Sequence, residues 1–451
     1  MAADNIQEEY LMFQNEHESN ARAYSRHFPF ILKKAQGVIV TDIEGKNYYD
    51  CLAGAGTLAL GHNHEVIIAA IKEVLDQQIP LHTLDLATPL KIEFMKEILS
   101  SLPEKLKSVA KIQFCGPTGA DAVEAAIKLV KHSTKGKSIL AFQGGYHGST
   151  QATMSMSGNL SKKQNLQSLL PDVHFLPFPN EFRCPFGVGS GLTATISAQY
   201  IEHLLDDCES GIAKPCCVIV ETVQGEGGVI PADFMWLQEL RRMTAERNIP
   251  LIIDEVQTGI GRTGKMFSFE HADIIPDVII CSKAIGGSLP MSVVIYHKSL
   301  DQWQAGAHTG TFRGNQLGMA TGLATLKYLR EHQVLKNVQE RSIQFFNRLH
   351  QLQQQFCEIG DVRGRGLMIG VEIVNPKKPI DRLGHYPPNG KLALLIQKKC
   401  FENGLIIEVG GRKGEVLRFL PPLIINKAET DKVLDIFVDS LQQAVAMHAS
   451  C

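Results

Sequence analysis

Lys283 stands at the end of the run Asp277-Val278-Ile279-Ile280-Cys281-Ser282, and Ala284-Ile285-Gly286-Gly287 follow it. Asp254 closes a second apolar run, Leu251-Ile252-Ile253. A lysine amine just past an apolar strand can condense with an aldehyde. A carboxylate at the end of another strand can hold a pyridinium nitrogen protonated. Together they describe a site for pyridoxal phosphate (PLP), a cofactor that acts as an electron sink. Each residue also has an ordinary reading. Asp254 could be a helix N-cap after its strand, and Lys283 a solvated loop lysine.

The remaining parts of such a site have candidates in the same chain. Cys115-Gly116-Pro117-Thr118-Gly119-Ala120-Asp121-Ala122 joins a strand to a helix. A helix start rich in small residues offers backbone N–H groups and a positive dipole end to a phosphate, so Gly119 and Ala120 are the expected ligands. No GKS or GKT follows, which excludes a nucleotide P-loop. Tyr146, inside Gly144-Gly145-Tyr146-His147-Gly148, could lie flat on a pyridine ring, or pack as a surface tyrosine. His147 beside it, and Glu221, in Glu221-Thr222-Val223-Gln224-Gly225-Glu226-Gly227-Gly228, are also assigned to the cofactor. Gln257 could reach the ring hydroxyl. Glu226 and Arg418 are the substrate candidates. Arg418 is an isolated cation in Val416-Leu417-Arg418-Phe419-Leu420, suited to a bidentate grip on a carboxylate or to a structural ion pair.

These residues require a frame. From about residue 110 to 300, short apolar runs alternate with helical patterns. The runs are Ile112–Phe114, Ile139–Phe142, Val218–Val220, Leu251–Ile253, Val278–Ile280 and Val293–Ile295. This predicts an α/β fold with a largely parallel sheet covered on both faces, and ligands outside the carboxyl ends of its strands. Every candidate above falls at such an end or beside it. Residues 38–52 predict a hairpin, and Asn375 to Gly390, with four prolines, a loop. The chain divides into 1–64 (an arm and part of a small domain), 65–330 (a large cofactor domain) and 331–451 (a smaller α+β domain). At 451 residues, 44% hydrophobic and 20% charged, it can bury a large core. A net charge of -2 gives no reason to expect nucleic acid or an anionic membrane as partner. Ten scattered cysteines, an acidic N-terminus and no apolar stretch of spanning length point to a reduced, cytoplasmic protein.

Thr118-Gly119-Ala120-Asp121, Tyr146-His147-Gly148, Glu221 to Gly228, Asp254 to Gly264, Ser282-Lys283 and Gly310-Thr311-Phe312 occur in the order and spacing of the class III PLP-dependent aminotransferases. The resemblance runs from about residue 25 to 445. It implies fold type I, with a large domain around a mostly parallel sheet of seven strands and a smaller α+β domain. It also implies a homodimer in which Thr311 reaches the phosphate in the neighbouring site. Glu18 to Tyr24, Gly54 to Thr57, Gly116 to Ala126 and Thr309 to Asn315 resemble most the branch that exchanges the C4 amine of L-2,4-diaminobutyrate with 2-oxoglutarate. Other ω-amine transaminases, acting on 4-aminobutyrate, ornithine or a polyamine, are the alternative. Many relatives carry an arginine after His-Gly for a substrate's distal carboxylate. Ser149 stands there, so another cation is expected to serve, with Arg313 first and Arg22 second; Arg313 could equally brace the dimer.

Overall fold

The computed structural model describes residues 2–189 and 191–449. Its centre is a seven-stranded sheet in the order Ala110–Phe114, Val293–His297, Val278–Cys281, Leu251–Asp254, Pro215–Val220, Ser138–Phe142 and Val173–Leu176. Only Val293–His297 runs antiparallel to its neighbours. The central strands are unbroken apolar runs because both faces are covered. Every residue of Pro215–Val220, Leu251–Asp254 and Val278–Cys281 is buried. On one face, the helix Gly119–Thr134 sets Ala122, Val123, Ala126, Ile127 and Val130 against Ile139, Ile219, Ile252, Val278 and Val294. Small residues on that helix let it lie close to the sheet, which fixes where its N-terminus points.

Six of the seven strands follow the apolar runs read from the sequence. The seventh, Val173–Leu176, is a half-buried edge strand carrying His174, and its short mixed run gives no clear periodic signal.

The chain ends pack together. Leu32–Gln36, Ile39–Asp42 and Asn47–Asp50 form antiparallel pairs, and Leu405–Ile406 joins Asn47–Asp50 in parallel. A second sheet, in the order Ile359–Arg365, Met368–Ile373, Val416–Phe419 and Glu408–Gly410, is antiparallel throughout. The helices Val334–Gln355, Gly390–Glu402 and Lys427–Ala449 accompany it. The proline-bearing stretch after Ile373 contains no helix or strand until Gly390. Among the described residues, no helix is long and apolar enough to cross a membrane.

Candidate active site

Phe114, Phe142, Val220, Asp254 and Cys281 end parallel strands at one edge of the large sheet. The segments leaving them enclose a cavity of about 440 Å3, within the size range of small-molecule sites. Gly119, Ala120, Tyr146, His147, Glu221, Glu226, Asp254, Gln257 and Lys283, all singled out in the sequence, line it.

The anion end is the start of the helix Gly119–Thr134. Thr118 caps it, its hydroxyl accepting from Asp121 N at 3.3 Å. The N–H groups of Gly119 and Ala120 have no partner within their own helix. The approach is close: a Cβ on Gly119 would lie 3.0 Å from Val256 Cγ1, and one on Gly148 would lie 2.7 Å from Ala120 Cβ. The glycines therefore let the Tyr146–Gly148 segment and the Val256 turn close over the helix start.

Asp254 is held from two sides. Val256 N donates to its Oδ1 at 3.0 Å, and His147 Nδ1 lies 2.7 Å from its Oδ2. Both side chains are buried. Burial would depress the His147 pKa, but the hydrogen bond and charge of Asp254, helped by Glu221, outweigh it and hold the imidazole above its ordinary value. The two contacts fix the Asp254 carboxylate in the cavity lining, where a ring nitrogen could meet it.

Glu221 takes a structural part. Its Oε1 accepts from Tyr146 N and its Oε2 from Gly225 N, each at 2.9 Å. Burial pushes its carboxyl up to about 7, against the opposing charge of His147. It ties the Tyr146 loop to the Gly225 turn. Tyr146 lies at the cavity rim with its hydroxyl 3.0 Å from Ser149 Oγ.

Lys283 opens a short 3-10 turn with φ +53, the left-handed region that side chains rarely adopt. Its amine has no hydrogen-bond or ion-pair partner among the described residues. Burial lowers its pKa, which increases the fraction of neutral, nucleophilic amine.

Arg418, fully buried, lies beside this cavity. Its Nη1 is 2.8 Å from Glu226 Oε1 and 3.1 Å from Glu408 Oε2, and its Nη2 donates to Gln257 Oε1 at 3.0 Å. Tyr24 donates to Glu408 Oε1 at 3.1 Å. Arg418 holds Glu226 below the usual carboxylate range, whereas burial raises Glu408. Gln257 also donates to Ala55 O at 3.2 Å, which engages one of its two amide N–H bonds. Glu408 and Tyr24 escaped the residue-by-residue reading. A lone acid in Leu405-Ile406-Ile407-Glu408-Val409 was the available signal for Glu408, and the Glu18 to Tyr24 motif was the one for Tyr24.

Thr311 and Arg313 do not line the cavity of their own chain. Arg313 is not a free cation: its Nη2 pairs with Asp85 and its Nη1 donates to His308 O at 3.0 Å. Arg22 is likewise turned onto its own segment, donating to Glu18 O at 3.0 Å and Ser19 O at 3.2 Å.

The donor set suits PLP: an unpartnered amine, a carboxylate backed by imidazole, and an anion cradle. The aminotransferase class-III model matches residues 20–441. The chain belongs to the class III aminotransferases. Among curated relatives of this aminotransferase, the diaminobutyrate–2-oxoglutarate aminotransferase of Rhizobium meliloti (strain 1021) is 52% identical, over 94% of this chain and 90% of its own. That of Haemophilus influenzae is 50% identical, over 97% and 95%. Among solved structures, a transaminase from directed evolution by ancestral reconstruction superposes with a TM-score of 0.86 at 25% identity, covering 98% of this chain and 99% of that one. The ornithine aminotransferase of Toxoplasma gondii ME49 gives 0.81 at 24%, covering 99% and 96%; at that identity it speaks for the fold alone. The seven-stranded, mostly parallel sheet of this aminotransferase is thus that of fold type I.

Proposed function

We propose that this aminotransferase exchanges the C4 amino group of L-2,4-diaminobutyrate with 2-oxoglutarate, reversibly, giving L-aspartate 4-semialdehyde and L-glutamate, with PLP bound in the cavity. Two relatives named for that activity, each about half identical over nearly the whole chain, support the substrates. The observation that carries the reading is Arg418 between two carboxylates, one buried and one 42% exposed. A cation with one removable partner suits a pocket that must accept both an α-amino acid and a terminal amine.

Bound PLP supplies an aldehyde to capture the amine and a ring to delocalise the electrons of the broken C–H bond. The chain supplies the rest. Gly119 and Ala120 cradle the phosphate, and Tyr146 covers the ring. Asp254, braced by His147, keeps the ring nitrogen protonated. Lys283 holds the cofactor at rest and, once displaced, carries the proton as general base and acid. Glu226 neutralises Arg418 while a terminal amine reacts and releases it when the α-carboxylate of glutamate arrives. Thr311, exposed on its own chain, reaches the phosphate of a neighbouring subunit in a homodimer. The exposed apolar side chains Leu84, Leu86 and Phe312 near it support such an interface.

The test is a half-reaction without keto acid. Holoenzyme mixed with diaminobutyrate should pass from the aldehyde to the amine form of the cofactor, faster than with 4-aminobutyrate or ornithine. Conversion with another amine but not with diaminobutyrate would reject the substrate and keep the chemistry.

A further inference from the structure

This inference rests on the proposed substrates and concerns the end of the molecule that does not react. In diaminobutyrate the reacting C4 lies three bonds from the carboxylate carbon. In glutamate the reacting C2 lies three bonds from the side-chain carboxylate carbon. One cation at a fixed distance from Lys283 can therefore hold either. Arg418 cannot be that cation, because glutamate needs it for the α-carboxylate. Arg313 is paired with Asp85. Arg363 is held by Asp361 and Glu372, and Lys163 by Ser157 O and the Phe175 ring. Ser149 offers the rim a hydroxyl and no charge.

Arg412 and Lys162 are exposed cations beside the cavity-lining loops, and neither side chain has a hydrogen-bond or ion-pair partner among the described residues. Arg412 sits in the turn between the strands Glu408–Gly410 and Val416–Phe419, the same hairpin that presents Arg418. Gly411 N donates to Glu226 O at 3.2 Å, which fixes that turn beside the Glu226 loop. The guanidinium lies against the other lining loop: a Cβ on Gly144, two residues before Tyr146, would be 3.3 Å from Arg412 Nη2. Glu226 and Tyr146 both line the cavity, and the guanidinium, which is not itself part of that lining, stands where their two loops meet. Lys162 lies in the turn Leu160–Lys162, beyond Gly158, whose N–H donates to Gly145 O at 2.8 Å. It is a point charge on a flexible stem, whereas a guanidinium matches a carboxylate with two parallel hydrogen bonds.

We propose that Arg412 binds the carboxylate remote from the reacting carbon in both half-reactions, and so selects amino acids with that three-bond spacing. Its side chain is exposed and makes no hydrogen bond or ion pair among the described residues, so its replacement should leave the protein folded.

The experiment compares wild-type, Arg412→Ala, Arg412→Lys and Lys162→Ala holoenzymes in single-turnover half-reactions. Glutamate is paired with norvaline, and diaminobutyrate with 1,3-diaminopropane; each second compound lacks the remote carboxylate. Arg412→Ala should weaken apparent binding of glutamate and diaminobutyrate on the order of ten- to a hundredfold, the effect of losing a charge-assisted hydrogen-bonded pair. The limiting rates, and both compounds without the carboxylate, should be little changed. Arg412→Lys should fall between. Calorimetric binding of glutarate, a dicarboxylate that cannot react, should weaken by the same factor as glutamate. Equal losses for glutamate and norvaline, no loss for either, or a loss only in Lys162→Ala would overturn the assignment. If wild-type enzyme reacts with glutamate but not diaminobutyrate, the substrate reading fails, while the glutamate and glutarate arms still decide the role of Arg412.

Discussion

Charges in this site work in matched sets, and their consequences differ with exposure. Glu226 and Glu408 share Arg418, but Glu408 is 11% exposed and Glu226 is 42%. The exposed partner costs less to detach, because water can solvate it when it leaves. Glu226→Gln should weaken that pairing and leave Arg418 more available. The ratio of kcat/KM for glutamate to that for diaminobutyrate is then expected to rise by roughly tenfold; steady-state kinetics with each donor measure it, and an unchanged ratio argues against the switch. Glu255, next to Asp254, shows the other extreme. It accepts from Thr258 Oγ1 at 2.6 Å and Phe269 N at 3.0 Å, and burial pushes its carboxyl from the ordinary 4.5 up to about 7. The folded state therefore holds its proton more tightly than the unfolded state. Its contribution to stability is full below about 4.5 and is lost as pH rises to about 7, up to about 3 kcal/mol. Glu255→Gln removes this dependence, so its stability relative to wild type should improve between pH 5 and pH 8. Urea unfolding at the two pH values checks the sign; a constant difference would mean that Glu255 does not titrate in that window.

At the scale of elements, close approach positions the reactive lysine. The helix Gln316–Glu331 packs on the turn Lys283–Gly286, and Thr321 Oγ1 donates to Gly286 O at 2.7 Å. A Cβ on Gly322 would lie 2.3 Å from Ile285 O and 2.9 Å from Phe94 Cε2. Gly322→Ala must therefore push the helix away from the lysine turn, at a cost of about 1–3 kcal/mol. We expect a lower Tm and less PLP retained after gel filtration. Gly189→Ala, where nothing lies within 4 Å of the added Cβ, is the control. Equal behaviour of the two variants would show that this contact does not hold the turn.

At the scale of the molecule, the role proposed for Thr311 requires a second chain. Phe312 is 58% exposed, and the segment Thr311–Gly314 packs against Leu81–Leu86 rather than the cavity of its own chain. If a neighbour uses Thr311, lesions on different chains must complement. Lys283→Ala and Thr311→Glu proteins should each be nearly inactive. Refolded together in equal amounts, they should recover about a quarter of wild-type activity, because half of the dimers carry one intact site. No recovery, with mixed dimers demonstrated, would place Thr311 in the site of its own chain or in none.

The sequence by itself determined six of the seven strands of the sheet and the residues at its carboxyl edge. Unbroken β-branched runs such as Val218-Ile219-Val220 encode strands buried on both faces, and in such a sheet the residues just past the strands meet at one edge. Lys283, Asp254, Glu221, Tyr146 and Gly119 were therefore legible as one site although 165 positions of sequence separate its ends (119 to 283, inclusive). The motifs also carried the family. Only the tertiary structure decided which charges pair. Arg418 gathers Glu226, Gln257 and Glu408 from three separate segments, and Asp85 captures Arg313 across more than two hundred residues. Local periodicity reports which face of an element is buried. It does not report which distant side chain arrives opposite a charge, because that depends on how whole elements dock. For the same reason Arg412 looks like an ordinary turn residue in the sequence and stands out only when its neighbours Gly144 and Glu226 are known.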